Sequence, residues 1–389
     1  MKIAIFSDTF FPSVNGVATV VHQSAKNLAQ SGHEVRIFTV CPRSNIEAFW
    51  TDEKISVISW PSIPAGVYKG ERFTLPVGLA FRHLKEFHPD IIHTHTPFSI
   101  GWEAIWAARK LKIPLVGTHH TFYDHYLKHI KADFEWAKKL SWRYTTFFYN
   151  FCDLVLSPSQ SLADTLIAKG LKKPFYVLRN PIETDLFIPC QNEKTKADFK
   201  KELGLKGKSL VFTGRVSYEK SIDQVLKAFS LAIKKNADIQ LMIVGDGPEK
   251  NNLEKLAANL DIKEKVIFTG ILERGTSLIR ALQANEVFIT ASKTENMPMT
   301  VIEAMAVGLP MIAVPEKGLA EIIKHDINGF LTPADRPAEM AEKILELMNN
   351  INLLKKFSEG SRALAMEFSK ENITCQLLKA YEKIIKSKL

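Results

Sequence analysis

The stretch Ser292–Pro310, S-K-T-E-N-M-P-M-T-V-I-E-A-M-A-V-G-L-P, carries two glutamates eight positions apart, Glu295 and Glu303. An apolar strand pattern precedes the stretch, and Gly308 followed by Pro310 ends a helical pattern that contains Glu303. Glu295 is therefore expected on a strand-to-helix loop, with Glu303 about two turns further on. At ~1.5 Å per residue the two carboxylates can bracket a group the size of a nucleoside sugar. The helix N-terminus between them offers N–H groups to an anion.

Two separate parts of the chain alternate between strand patterns and helix patterns. The first part opens with a strand at Lys2–Phe6, a helix at Ala18–Gln30 and a strand at Glu34–Val40. The second part opens with a strand at Ser209–Thr213 and a helix at Asp223–Lys234. This alternation is typical of doubly wound α/β sheets. Because ligands bind at the carboxyl ends of the strands in such sheets, the loops after the strands are the expected place for a site.

The loops of the second part combine cations with glycines. Arg215 follows Gly214 at the end of a strand, and Lys220 comes five residues later. Two such cations can neutralise a diphosphate leaving group, Arg as a bidentate fork and Lys as a point charge. Gly245, in the turn V-G-D-G-P, lets the backbone approach a ligand closely. The alternatives are a solvated basic loop and, for the glutamate pair taken alone, one surface residue and one helix-face residue.

Histidines are concentrated in the first part, where ten of the 11 lie before residue 130. His93 and His95 follow one strand pattern, and His120 follows the next. A His-x-His spacing points both side chains to one face of a strand, but no third ligand has a standard spacing, so a metal site is not predicted. A hydrogen-bonded structural role and a substrate-contacting role both remain open for these histidines.

Length and composition exclude several classes of protein. A chain of 389 residues with 46% hydrophobic residues is expected to form two or three globular domains. No apolar run reaches the ~18 residues of a membrane span, and the opening apolar run is too short for a signal peptide. The cysteines are widely scattered and fit a reducing cytoplasm; they are Cys41, Cys152, Cys190 and Cys375.

Positive charge is unevenly distributed. Residues 1–180 carry 21 Lys and Arg against 14 Asp and Glu, a net +7, and the remainder carries 30 against 28, a net +2. No nucleic-acid-binding motif accompanies this charge, so an anionic surface is favoured. The basic, aromatic segment Lys131–Cys152 can form a helix that lies in a bilayer interface or one that packs its aromatic face on the core. The candidate membrane-contacting residues are Trp136, Lys138, Lys139, Trp142 and Arg143.

The motifs together resemble the family 4 retaining glycosyltransferases, and the resemblance covers nearly the whole chain. The second-half motifs are E-x7-E at residues 295–303, G-R-x4-K at 214–220, the glycine turn at 245–248 and N-G-F-L at 328–331. In the first half, H-T-H-T-P at 93–97 and T-H-H-T-x-Y at 118–123 look like the bacterial diacylglycerol glucosyltransferases. Pro298-Met299 stands where the family usually has Gly-Leu.

The resemblance implies a GT-B fold, in which two Rossmann-like doubly wound domains face a central cleft. Residues 1–185, joined by a C-terminal helix at 371–389, would bind the acceptor and associate with the membrane. Residues 186–370 would bind the nucleotide-sugar donor. The implied reaction transfers a hexose with retention, with UDP-glucose as the expected donor and a lipid such as 1,2-diacylglycerol as acceptor. The expected location is cytoplasmic, peripheral on the inner face of the cell membrane.

The resemblance also implies roles for particular residues. Arg215 and Lys220 would hold the diphosphate, Glu303 the ribose and Glu295 the donor sugar. The implied catalytic residues are His120, Arg215, Lys220 and Glu295. The further donor-binding residues are Gly16, Gly245, Ile271, Leu272, Asn296, Met297, Pro298, Met299, Thr300 and Glu303, and the acceptor-side residues are His93, His95, Tyr123 and Asp124. The nucleotide sugar is a co-substrate, and neither a tightly bound cofactor nor a metal is expected.

Two other functions fit the same motifs. One is a glycosyltransferase that acts on a soluble acceptor such as an inositol phosphate, a sugar or a glycan, which would be active without lipid. The other is a catalytically weak nucleotide-sugar-binding protein, which would bind nucleotide without turnover. The Pro298-Met299 departure is the only support for the second alternative.

Overall fold

The computed structural model describes residues 1–11, 15–40, 54–64, 72–76, 78–122 and 134–388. The chain divides into two compact units. The first comprises Met1–Pro181 and Lys370–Leu389, and the second comprises Ile182–Ser369. The boundary thus follows Pro181, where the sequence suggested residue 185, and the C-terminal helix belongs to the first unit.

The first unit contains a seven-stranded parallel sheet in the order β3-β2-β1-β6-β7-β8-β9. A two-residue antiparallel ladder, β4 with β5, lies outside it. The strands are β1 Lys2–Phe6, β2 Glu34–Thr39, β3 Ile55–Ser59, β4 Ile63–Pro64, β5 Arg72–Phe73, β6 Ile91–Thr94, β7 Leu115–Thr118, β8 Leu154–Ser157 and β9 Phe175–Val177. The helices are Gly16–Gln30, Ala80–Phe87, Ser99–Leu111, Glu135–Tyr149, Gln160–Ala168 and Lys370–Lys388.

Both faces of this sheet are covered, so that β6, β7 and β8 are buried along their whole length. Successive side chains of a strand point to opposite faces. Ala4 and Phe6 accordingly belong to one core cluster, while Ile3 and Ile5 belong to another. The C-terminal helix contributes Tyr381 to the second cluster, so that the end of the chain completes the core beside its first strand.

The second unit contains a six-stranded parallel sheet in the order β12-β11-β10-β13-β14-β15. Its strands are β10 Lys208–Thr213, β11 Ile239–Val244, β12 Val266–Gly270, β13 Val287–Ile289, β14 Met311–Ala313 and β15 Gly329–Leu331. The helices are Glu193–Glu202, Ile222–Ile233, Lys250–Asn259, Thr276–Gln283, Met299–Ala306, Lys317–Ile322, Pro337–Asn349 and Ile351–Met366. The strand order reverses between β10 and β13, which creates a crevice at their carboxyl ends.

Candidate active site

The loop between β13 and the helix Met299–Ala306 carries the first glutamate of the pair, and the helix carries the second. Glu303 is 1% exposed, whereas the side chain of Glu295 is more open. Gly318 packs against this loop, and its N–H donates a hydrogen bond to the Glu295 carbonyl oxygen at 3.0 Å. A Cβ at Gly318 would lie 1.4 Å from the carbonyl oxygen of Asn296. The shape of this loop therefore requires glycine at position 318.

Each glutamate of the pair is matched with a cation. Lys220 Nζ donates to Glu295 Oε1, and Arg274 Nε donates to Glu303 Oε1 at 2.8 Å. Burial raises the pKa of Glu303, and the Arg274 guanidinium opposes that rise. Three of these four residues were predicted from the sequence, and Arg274 was not. The position of Arg274 in the sequence could have indicated it, because it follows β12 at the same carboxyl edge of the sheet as the other cations.

The two glycine-containing loops of this unit pack backbone against backbone. A Cβ at Gly245 would lie 1.9 Å from the Gly214 carbonyl oxygen, and one at Gly247 would lie 2.3 Å from that of Val216. Gly214 and Gly245 also adopt positive φ, 150° and 135°, which other residues rarely adopt. These approaches fix the position of the chain at Arg215, which is exposed at the carboxyl end of β10.

The remaining donor-binding candidates occupy varied positions. Met297 is buried, and Leu272 packs partly against the core of the second unit. Ile271, in contrast, is 79% exposed on the loop after β12, where it offers an apolar surface. Gly16 is the first residue of the helix Gly16–Gln30 in the first unit. Asn296 and Pro298 lie on the loop after β13, and Met299 and Thr300 begin the helix that follows.

In the first unit, the ends of β6 and β7 bring the predicted histidines together. His93 Nε2 contacts Thr118 Oγ1 at 2.6 Å, and His93 Nδ1 contacts the Tyr381 hydroxyl at 2.6 Å. His95 Nδ1 lies 2.9 Å from His120 Nε2, and these two rings are stacked. His93 packs against His95 with ring centroids 4.1 Å apart, and His119, which precedes His120 in the chain, is also buried. These four buried histidines are called the histidine cluster below. The contact of Tyr381 with His93 was not predicted from the sequence.

Burial keeps the histidines of this cluster neutral. It lowers the pKa of His93 and His119 to about 3 and that of His120 to about 4. The pKa of His95 is also lowered well below its ordinary value, first by burial and then by the neighbouring histidines. At neutral pH these side chains carry no charge, and His93, His95 and His120 take part in hydrogen bonds as neutral groups.

Acidification is therefore expected to destabilise the protein. In the unfolded chain a histidine takes up a proton near its ordinary pKa of 6.5, whereas the folded cluster stays neutral down to about pH 4. The unfolded state then binds more protons, so each buried histidine costs about 1.4 kcal/mol per pH unit below 6.5. Calorimetric unfolding at about pH 7.5 and about pH 5.5 measures this loss.

A pair of variants tests whether the buried cluster causes the acid sensitivity. His119→Gln removes one titrating group and should flatten the pH dependence. His88→Asn is the control, because His88 is exposed and asparagine tolerates its φ of 51°. Stability of the wild-type protein that is independent of pH over this range would contradict the expected result.

The helix Glu135–Tyr149, called the basic aromatic helix below, presents two different faces. Its exposed face carries Lys139 and Arg143 among large apolar side chains, including Trp136, which is 68% exposed. Trp142 is only 6% exposed and packs against His119 and Phe122. The prediction that Trp142 contacts a membrane was wrong, since the helical period turns position 142 toward the core. The exposed apolar residues here are Phe134, Trp136, Leu140, Tyr144 and Phe147.

Other parts of the predicted site are not all described. Tyr123 and Asp124 lie outside the described residues. Lys138 is half-buried and pairs with Glu135 at 3.0 Å.

Within the described ranges, no helix is long and apolar enough to cross a membrane. Over the same residues, no group of three His, Cys, Asp or Glu side chains is arranged to hold a metal ion.

Two parallel α/β units, the second with cation–carboxylate pairs at the carboxyl edge of its sheet, define the class of the GT-B proteins. Residues 14–186 match the family model described as Glycosyltransferase Family 4. Residues 193–364 match the model described as Glycosyl transferases group 1. The chain belongs to the family 4 glycosyltransferases.

Particular relatives and a solved structure agree with this assignment. Alpha-monoglucosyldiacylglycerol synthase of Streptococcus pneumoniae is 33% identical over 93% of this chain and 82% of its own length. A GDP-mannose-dependent alpha-mannosyltransferase of Corynebacterium glutamicum is 28% identical over 85% of this chain and 76% of its own. The crystal structure of Anabaena Alr3699/HepE in complex with UDP has a TM-score of 0.81 at 18% identity, covering 98% of this chain and all of that one. The predicted family and fold class are confirmed.

Proposed function

We propose that this glycosyltransferase moves glucose from UDP-glucose to the hydroxyl of a diacylglycerol-type lipid, with retention of configuration. The likeness to the pneumococcal synthase, whose name gives a monoglucosyldiacylglycerol as the product, supports glucose as the donor sugar and diacylglycerol as the acceptor. The complex of the Anabaena protein with UDP supports the nucleotide. The observation that carries the lipid part is the exposed aromatic and basic face of the first unit.

The donor roles follow from the chemistry of the second unit. Arg215 and Lys220 neutralise the diphosphate, and Lys220 can do so while it contacts Glu295, because an ammonium group has three donors. Glu303 accepts hydrogen bonds from the ribose, and Glu295 contacts the sugar. The exposed Ile271 covers the base together with Leu272. In the first unit His93, His95 and His120 belong to the acceptor side as neutral hydrogen-bonding groups.

The proposed transfer step needs no nucleophile from the protein. The acceptor oxygen forms a bond to the anomeric carbon while the bond from that carbon to the diphosphate oxygen breaks. The leaving phosphate takes the proton of the acceptor hydroxyl on the same face of the sugar. The products are UDP and a glycolipid. The two cations contribute by stabilising negative charge that develops on the diphosphate.

Incubation of the purified protein with UDP-glucose, with and without diacylglycerol in anionic vesicles, tests the proposed reaction. We expect UDP release that depends on lipid, and an α-linked product by NMR. Release without lipid would indicate hydrolysis of the donor by water, and release that requires an added soluble sugar or inositol phosphate would support a soluble acceptor, the second candidate function. GDP-mannose is the control donor, because the corynebacterial relative is GDP-mannose-dependent. Nucleotide binding with no turnover of any donor would overturn the assignment as an enzyme.

Membrane attachment is proposed to use the exposed face of the basic aromatic helix, at the cytoplasmic surface of the membrane. Replacing Trp136 and Phe147 together with serine removes side chains that are 68% and 56% exposed. At about 1.5–3 kcal/mol for burying a large apolar side chain, partition to acidic vesicles should fall at least about tenfold. Flotation with acidic vesicles measures it.

The control for this experiment is Ile351→Ser, since Ile351 is similarly exposed but lies in the second unit. It should float like the wild-type protein. Equal flotation of the double variant and the wild type would show that another surface binds lipid. The serine variants should keep the thermal stability of the wild type, because they replace exposed side chains.

A further inference from the structure

Arg274 has no role in the proposed function, yet it forms an ion pair with the buried Glu303. It lies on the loop between β12 and the helix Thr276–Gln283. Its Nε donates to Glu303 Oε1 at 2.8 Å. The side chain of Glu303 is 2% exposed and that of Arg274 is 38% exposed. The pair therefore joins a desolvated carboxylate to a cation that still reaches the surface.

The cation determines the state of the carboxylate. Burial disfavours the charged form of Glu303 and is the largest influence on its pKa. Arg274 opposes burial through both its charge and its hydrogen bond, and the negative charge of Glu183 adds weakly to the effect of burial. Without Arg274, the groups that face Glu303 would all favour its protonated form. An ionised carboxylate accepts hydrogen bonds more strongly than a protonated one.

The hydrogen bond also fixes the orientation of the carboxylate. Oε1 is turned toward Arg274. Within the described part of the chain, Glu303 Oε2 accepts no hydrogen bond. It is also not one of the fully buried polar atoms that lack a partner. This second oxygen is thus free to accept from a ligand. A vicinal diol matches it, since hydroxyl groups are neutral donors of suitable size.

We propose that Arg274 is a positioning residue of the donor site, which holds Glu303 ionised and turned so that Oε2 accepts from the ribose hydroxyls of the nucleotide. This inference rests on the proposed function. It makes Arg274 a determinant of selectivity for ribonucleotides over 2′-deoxyribonucleotides. It acts on the binding of the nucleotide and leaves the transfer step unchanged, so its loss should raise KM for the donor with little change in kcat.

Calorimetric titration with UDP and with 2′-deoxy-UDP tests the inference. We expect the wild type to prefer UDP. Arg274→Ala should weaken UDP binding at least about tenfold, because truncating one partner of a buried charge pair is costly. Binding of 2′-deoxy-UDP should change much less, so the preference for ribose is lost. Arg274→Lys should restore part of it by keeping the charge.

The pH dependence of UDP affinity should reveal the same role of Arg274. In Arg274→Ala the pKa of Glu303 rises, because burial is no longer opposed. As the pH is lowered, Glu303 then protonates earlier than in the wild type. UDP affinity of the variant should therefore fall at a higher pH than that of the wild type. A loss of affinity that is the same at every pH would indicate a merely structural role.

A double-mutant cycle keeps the test independent of folding losses. Glu303→Gln is neutral at every pH and does not need a cation. If Arg274 acts through Glu303, adding Arg274→Ala to Glu303→Gln should change UDP affinity by less than about threefold. Arg280→Ala is the matched control, since Arg280 lies on the following helix and makes an exposed pair with Glu202 at 3.4 Å.

The outcomes separate this inference from the proposed function. If wild-type protein does not bind UDP, the proposed donor is wrong and the inference falls with it. If wild-type protein binds UDP and Arg274→Ala binds it equally well, only the inference is wrong. Additive losses in the double-mutant cycle, or equal losses for UDP and 2′-deoxy-UDP, would also overturn the inference.

Discussion

Replacing Arg215 with alanine is expected to lower kcat by about 10²–10³-fold, the effect of removing one preorganised donor from a developing negative charge. Arg215 follows β10 at the point where the strand order reverses, with Lys220 on the same loop. In the proposed reaction, charge on the diphosphate increases as the bond to the sugar breaks, so the Arg215 guanidinium is expected to stabilise the transition state more than the bound donor. Steady-state kinetics with the donor and lipid acceptor measures the loss.

Two further variants identify what Arg215 contributes. Arg215→Lys keeps the charge and loses the bidentate fork, so its activity should lie between those of the wild type and the alanine variant. Lys227→Ala is the control for a lost positive charge, since Lys227 pairs with Asp223 at 2.9 Å on the helix that follows the loop. Near-normal turnover of Arg215→Ala would exclude the diphosphate role. Because Arg215 is exposed, its removal should change the free energy of unfolding by less than about 0.5 kcal/mol.

Replacing Gly318 with alanine is expected to disrupt the proposed donor site by displacing the loop that carries Glu295. The added Cβ would lie 1.4 Å from the carbonyl oxygen of Asn296 and 3.2 Å from that of Glu295. Since the nearest atoms are backbone, the loop has to move. Such overpacking typically costs about 1–3 kcal/mol of unfolding free energy. UDP-glucose affinity should fall at least about tenfold, because the displaced loop carries Glu295.

Gly204→Ala separates the loss of stability from the loss of the site. Gly204 has a φ of 73° and no atom within 4 Å of an added Cβ. Alanine there costs about 1–2 kcal/mol for the left-handed conformation alone. This variant should lose stability and keep its affinity for the donor. If Gly318→Ala also keeps its affinity, the contact between Gly318 and the donor loop does not control the site.

The elements that the sequence predicted well are those whose local pattern and tertiary environment agree. The strand at Lys2–Phe6 has the predicted bounds, and the strand Lys208–Thr213 begins one residue before its predicted start at Ser209. Both are short apolar runs in a sheet with covered faces, where a continuous hydrophobic pattern is expected. The strand Ile55–Ser59 was not predicted. It lies at the edge of its sheet and is only partly buried, so its pattern is weaker.

The sequence alone did not determine which side chains of the basic aromatic helix are exposed and which are buried. Composition identified a segment rich in aromatic and basic residues, but composition does not assign each side chain to a face. Trp136 and Trp142 lie on the same helix, and one is exposed while the other is buried. A helical period constrains their relative direction, whereas the direction of the core is known only once the helix is packed.

The sequence by itself determined the alternation of strands and helices, the family, and the identity of the cations and glutamates carried by local motifs. These properties depend on spacing along the chain, which fixes which side chains share a loop or a helix. Only the tertiary structure decided that Arg274 pairs with Glu303, 29 positions away, and that Tyr381 meets His93, 288 positions away. Such contacts form because parallel strands bring the loops at their carboxyl ends to one edge and because the final helix returns to the first unit. The raised pKa of the buried Glu303 and the neutrality of the histidine cluster follow from that packing.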